Sequence, residues 1–214
     1  MEALQRSVLS NNWITLIFVF SILLLFFLKL FTTAKLKGYV TSLFNKGFVE
    51  IEAEENYWAL SFFHVGFSFF FLLMLTVSIY LTMHQNFQKE AFLFFDYLQV
   101  SKYVLLCLTI RYVVDFLLII LFEIRDSLVT YFFFSRRSYS YSISLGLLIL
   151  NILYFYTFNS YYFLIFGIIA LFSIRYLLIL YYNKNLIIKE LFYFILYLCA
   201  FELAPLFVLF RWIF

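Results

Sequence analysis

Apolar residues along this chain fall into six long runs separated by short polar stretches. About 20 residues at a rise of about 1.5 Å are needed to cross a hydrocarbon core of about 30 Å. The runs cover residues 13–31, 58–83, 97–122, 141–158, 161–182 and 187–210. In lipid a segment must satisfy its own backbone polar groups, which a helix does. The pattern therefore predicts an all-α fold, a polytopic transmembrane helical bundle of about six spans forming one integral membrane domain over residues 1–214. The third run stands apart for the charges embedded in it, the fourth for its shortness.

The polar stretches differ in character. The first connection opens with AKLKGYVTSLFNKGF, which fits a short amphipathic helix on the membrane surface across about Lys35 to Lys46. Its lysines would face headgroups, with Leu36, Val40, Leu43 and Phe44 turned toward lipid or the bundle. It closes on the acidic run Glu50, Glu52, Glu54 and Glu55. The second connection, His84 to Asp96, mixes polar residues with FLFF and reads as interfacial. The third, Glu123 to Ser140, holds EIRD and SRRS. The fourth is a tight turn near Asn159 and Ser160, and the fifth contains Lys184. No internal repeat is visible, so an inverted-repeat transporter has no support.

Lys and Arg in the connections are distributed unequally. One side holds Arg6, Lys89 and Arg211; the other holds Lys35, Lys37, Lys46, Arg125, Arg136, Arg137, Lys184 and Lys189. The positive-inside bias then places the odd-numbered connections in the cytoplasm and both termini in the periplasm.

Composition agrees with a lipid solvent: 66% of residues are hydrophobic and 13% charged. A soluble domain of this length could not hide so much apolar surface. Five Gly and one Pro favour continuous helices over the broken helices of many transporters. A net charge of +3 is too small to argue for nucleic acid. Cys107 and Cys199 both fall inside apolar runs, which suits buried thiols, and no metal-type spacing is present. The first run is too long for a cleaved leader and reads as an uncleaved span.

Ionisable residues within spans are costly, at about 2.5–3.5 kcal/mol each on insertion scales, and so are candidates for function. Arg111 and Asp115 sit one turn apart on the third span and partly neutralise each other. Glu202 lies on the sixth span about 12 Å from its outer end, and Pro205 one turn later can kink that helix. Glu202 suits either an ion or proton site or a clasp between helices. Arg175, about 10 Å from the cytoplasmic end of the fifth span, is expected to snorkel to the interface. His64, about 9 Å into the second span, suits a helix-packing donor more than a titrating group. Arg111 is expected to clasp both Glu202 and Asp115, with Lys102 as a competing base.

No nucleotide loop, hydrolase elbow, zinc-protease motif or dinucleotide fingerprint occurs in the sequence. His64 and His84 fall at different depths, against a haem or metal pair. No cofactor or metal is expected.

The string LYLCAFELAPLFVLFRW resembles the C-terminal signature of an uncharacterised family of multi-span inner-membrane proteins of Bacteroidota, known as a domain of unknown function. MEALQRSVLSNNWIT and FNKGFVEIEAEEN are similar to flavobacterial members. The resemblance covers the whole chain and carries over Glu202 and Pro205, and more loosely Arg111. It implies an inner membrane and no particular activity. Three readings follow. The first is a subunit or accessory factor of a larger membrane complex, with lipid and other inner-membrane proteins as partners, in protein export or envelope assembly. The second is a small transporter or channel using Glu202, Arg111 and Asp115. The third is an enzyme acting on lipid-linked substrates.

Overall fold

A computed structural model describes residues 12–31, 33–41, 62–86, 93–121, 127–158 and 160–182. Six α-helices order themselves as α1 Asn12–Phe31, α2 Thr33–Thr41, α3 Phe62–Asn86, α4 Phe94–Leu121, α5 Ser127–Leu153 and α6 Tyr161–Tyr182. A π-turn, Tyr154–Phe158, continues α5. No strand occurs among the described residues. Four stretches are long and apolar enough to cross a membrane: Asn12–Leu30, Phe62–Gln85, Arg137–Phe158 and Tyr161–Leu178.

The third expected span is present as the continuous helix α4, whose 28 residues give about 42 Å of rise. It carries Asp96, Lys102, Arg111 and Asp115, and it is not among the four. The sixth expected span, residues 187–210, lies outside the described residues.

The centre of the bundle is α3, against which α1, α4, α5 and α6 all pack. Its buried stripe is Phe63, Phe67, Phe70, Met74, Val77 and Leu81. The alternation of four- and three-residue steps is a heptad seam, which keeps one face of a helix turned toward its neighbours. Phenylalanines fill the first half of that seam, and Gly66 lies beside it. A Cβ there would lie 2.9 Å from Leu28 Cδ2, so the Leu28 side chain of α1 occupies the space that Gly66 leaves.

Side-chain contacts define the directions. Trp13 at the start of α1 meets Tyr80 near the end of α3, with ring centroids 5.5 Å apart, while Leu28 sits over Gly66 near the other end. These helices are antiparallel. Tyr97, near the start of α4, also meets Tyr80 at 5.9 Å, so α4 is antiparallel to α3 as well. Ser68 and Ser78 on α3 face Tyr141 and Asn151 on α5, in parallel. Helices α5 and α6 return antiparallel through two reciprocal contacts, Leu171 against Gly146 and Leu150 against Gly167.

One end of the bundle is therefore an aromatic cluster of Trp13, Tyr80, Phe94 and Tyr97, as suits a headgroup boundary. The other end, which gathers α2, the start of α5 and the end of α6, is basic. Its described cations include Lys29, Lys35, Lys37 and Arg137.

Several expected boundaries move. The fourth span was expected over residues 141–158; the stretch apolar enough to cross is Arg137–Phe158, and the helix that carries it, α5, begins earlier at Ser127, so Arg136 and Arg137 are helical. The polar stretch SRRSYSYSIS is tolerated in a helix because Ser138, Ser142 and Ser144 are buried against neighbours instead of facing lipid. The expected surface helix is found as α2, over Thr33–Thr41, with residues 42–46 outside the described set. It does more than rest on the surface: Tyr39 is 2% exposed, driven between α3 and α5.

Candidate functional site

Near the basic end, Tyr141 of α5 joins three helices. Its hydroxyl donates to the His64 carbonyl at 3.2 Å, and lies 3.3 Å from Ser68 Oγ and 3.5 Å from His64 Nδ1. Its ring stacks on the imidazole, at 6.0 Å and 27°, and meets Phe67 at 4.6 Å. Tyr39 of α2 comes edge-on to Tyr141 at 5.3 Å and stacks on Phe63 at 5.4 Å. Ser142 Oγ, the next residue of α5, donates to the Tyr39 carbonyl at 2.5 Å. The Tyr39 ring and the hydrogen bond from Ser142 to its carbonyl thus hold α2 against the bundle.

His64 is 1% exposed, and its ring lies among Tyr39, Phe63 and Tyr141. His84, the second histidine, lies 20 residues along the same helix, about 30 Å away at the aromatic end. No group of three His, Cys, Asp or Glu suited to a metal occurs among the described residues.

Arg175 departs from expectation. It was expected to run along α6 to the interface, but it is 1% exposed and is the largest fully buried side chain described. The Leu171–Gly146 contact fixes the register and sets Arg175 beside the Ser142 level of α5. Its guanidinium carbon is 5.9 Å from the Tyr176 ring centroid. The reason is geometric: α6 lies so close to α5 at its two glycine contacts that a residue on this face has protein, not lipid, in front of it.

Arg111 is half-buried on the side of α4 that also carries Tyr97, Val100, Val104 and Cys107. From the Tyr80–Tyr97 contact, Arg111 lies about 21 Å along α4, and His64 about 24 Å along α3. The antiparallel pair therefore brings both to one level. Asp115 falls one turn further along α4, and its side chain is outside the described residues, as are Glu202 and Pro205. Their expected clasp with Arg111 lies outside that set. What the structure does bring to one end of the bundle is His64, Arg111 and Arg175, each from a different helix.

A second polar seam was not anticipated. Asn151, fully buried on α5, donates Nδ2 to the Met74 carbonyl at 3.2 Å and accepts from Ser78 Oγ at 3.0 Å. The signal in the sequence was an asparagine inside an apolar run, the kind of residue that hydrogen-bonds across helices in lipid. Just beyond it the π-turn widens the helix. Tyr154 there donates to Gln85 on α3, and Tyr156 donates to Thr15 Oγ1 on α1 at 2.8 Å. One turn of α5 thus ties two helices.

Residues 14–213 match the family model described as Domain of unknown function (DUF4271). The chain belongs to that family. The match takes in every candidate residue named above, from His64 to Pro205, and the family's description carries no activity. No curated protein and no solved structure matches the chain.

Proposed function

We propose that this protein is a subunit or accessory factor of a larger protein complex in the inner membrane of a Gram-negative cell, with both termini periplasmic. The observation that carries the reading is the outward face of α4. Gln99, Lys102, Tyr103, Thr109 and Tyr112 are all exposed on it, interleaved with Leu105, Leu106, Ile110 and Val113. Lys102 stands about 12 Å from the helix start and Thr109 about 22 Å. A charged and hydrogen-bonding surface at that depth is poorly matched to hydrocarbon and well matched to partner helices. By contrast, the exposed stripe of α6, Tyr162, Phe166, Ile169 and Leu177, is of the kind that lipid solvates.

A photo-crosslinking side chain placed at Thr109, and separately at Phe166, tests this in the native host. Purification in mild detergent followed by mass spectrometry should return one stoichiometric protein partner cross-linked from position 109 and not from 166. Lipid adducts alone at both positions would overturn the reading. Protein export or envelope assembly is the kind of process such a subunit would serve.

A second reading, a small transporter or channel built on Glu202, Arg111 and Asp115, draws support from Arg111 lying on the bundle-facing side of α4. It predicts that Arg111→Gln protein accumulates normally and conducts no solute in proteoliposomes.

A further inference from the structure

We propose that the outward face of α4 seats one membrane-spanning helix of a different protein, and that this helix carries an Asp or Glu opposite Lys102. The inference rests on the reading of the protein as a complex subunit and gives the chemistry of its partner. Helix α4 has two stripes with the spacing of a helix seam. The inner one, Tyr97, Val100, Val104, Cys107 and Arg111, is buried or half-buried on the side turned to α3. The outer one, Phe95, Gln99, Lys102, Leu106, Thr109 and Val113, is exposed throughout. Both follow alternating steps of three and four residues, which keep one stripe against a neighbouring helix along its whole length. The polar residues Gln99, Lys102 and Thr109 all fall on the outer stripe. Lipid solvation does not require polar groups in a seam register, whereas a second helix does use them.

Lys102 decides the kind of partner. It lies about 8 Å along α4 from Tyr97, inside the aromatic boundary. It makes no hydrogen bond or ion pair among the described residues. An ammonium at that depth is stable against a carboxylate, and one charged residue in a seam fixes the register of the helix facing it. A second copy of this bundle does not offer that carboxylate. Helices α1, α2, α3, α5 and α6 contain no Asp or Glu. On α4 itself, Asp96 and Asp115 lie about 9 Å and about 20 Å from the Lys102 level. A two-fold axis in a bilayer runs along the membrane normal, so two α4 seams would set Lys102 against Lys102, which is repulsive. The facing helix therefore belongs to another protein.

The test places a photo-crosslinking side chain at Leu106, one turn from Lys102, in the full-length protein in its native host, and maps the cross-linked peptide by mass spectrometry. The expected product is one apolar span of another protein, with Asp or Glu within one turn of the cross-linked residue. Per molecule of accumulated protein, K102E should lower the yield at least about tenfold, as reversing one charge of a desolvated pair does. K102R should keep the yield, and replacing the partner's carboxylate by Lys should restore it in K102E. A partner span without that carboxylate, or a wild-type yield from K102E, would overturn this proposal and leave the complex reading standing. Cross-linking to a second copy, or to residues 187–210 of this chain with their Glu202, would overturn it equally. Lipid adducts alone would overturn both, with Lys102 then reaching the headgroups along its own stem.

Discussion

Tyr141 and His64 are joined twice, once by a hydrogen bond from the phenol to the histidine's main-chain carbonyl at 3.2 Å and once by stacking of ring on ring. The two bonds differ in what a substitution removes. Tyr141→Phe keeps the ring and loses the hydroxyl, so it should lower stability by about 0.5–1.5 kcal/mol. Tyr141→Ala also removes the contacts with Phe67 and Tyr39 and should cost about 3–5 kcal/mol. Unfolding in bicelles, followed by steric trapping, distinguishes these values. Equal losses for the two variants would show that the ring contributes nothing.

Asn151 and Ser78 should be energetically coupled. Ser78 Oγ also reaches the Met74 carbonyl at 2.9 Å, so each residue shares its acceptor with the other. Interhelical hydrogen bonds in membranes average about 0.6 kcal/mol and reach about 1.7. A double-mutant cycle of Asn151→Ala and Ser78→Ala should give a coupling in that range. Strict additivity would mean that the seam is not a network.

Gly167 and Leu150 test the close approach of α5 and α6. A Cβ on Gly167 would collide with Leu150 Cδ1, and one on Gly146 would lie 2.8 Å from Leu171 Cδ2. Gly167→Ala should therefore destabilise by about 1–3 kcal/mol, the usual cost of overpacking. Adding Leu150→Ala should recover part of that loss. A neutral Gly167→Ala, measured as abundance and melting midpoint, would mean that the two helices can move apart.

Orientation is open to a direct measurement. With Cys107 and Cys199 replaced, Arg136→Cys should be shielded from an impermeant thiol reagent added to spheroplasts and labelled after lysis. Labelling in intact spheroplasts would reverse the bundle and place its basic end outside.

For the expected clasp, Arg111→Ala should lower abundance, and adding Glu202→Gln should cost little more, because groups that share an interaction are not additive. Full additivity of the two losses would separate them into different sites.

Much of the fold is legible in the order of residues. The first and fifth runs coincide with α1 and α6 to within a residue, because an apolar run bounded by polar groups on both sides can be cut at few places. The start of α5 was not legible. A run of Ser, Arg and Tyr looks like a connection until burial of Ser138, Ser142 and Ser144 is known, and burial belongs to the neighbours. For the same reason α2 could be foreseen as a helix, but its anchor Tyr39 could not.

What the sequence determined by itself is everything governed by transfer into lipid. Helical class, the four stretches long and apolar enough to cross a membrane and the basic end all follow from which residues tolerate hydrocarbon and which do not, and that is a sum over local properties. Partnership was decided by tertiary structure. His64 and Tyr141 are 77 residues apart, and Tyr39 and Ser142 are 103 apart. Arg175 had a lipid path on its own helix until α5 closed over it at Gly146 and Gly167. Hydropathy has no term for which helix stands next to which. That choice comes from shape: the heptad stripe of α3 and the two glycine contacts between α5 and α6 select the neighbours, and the neighbours then bring the polar groups together.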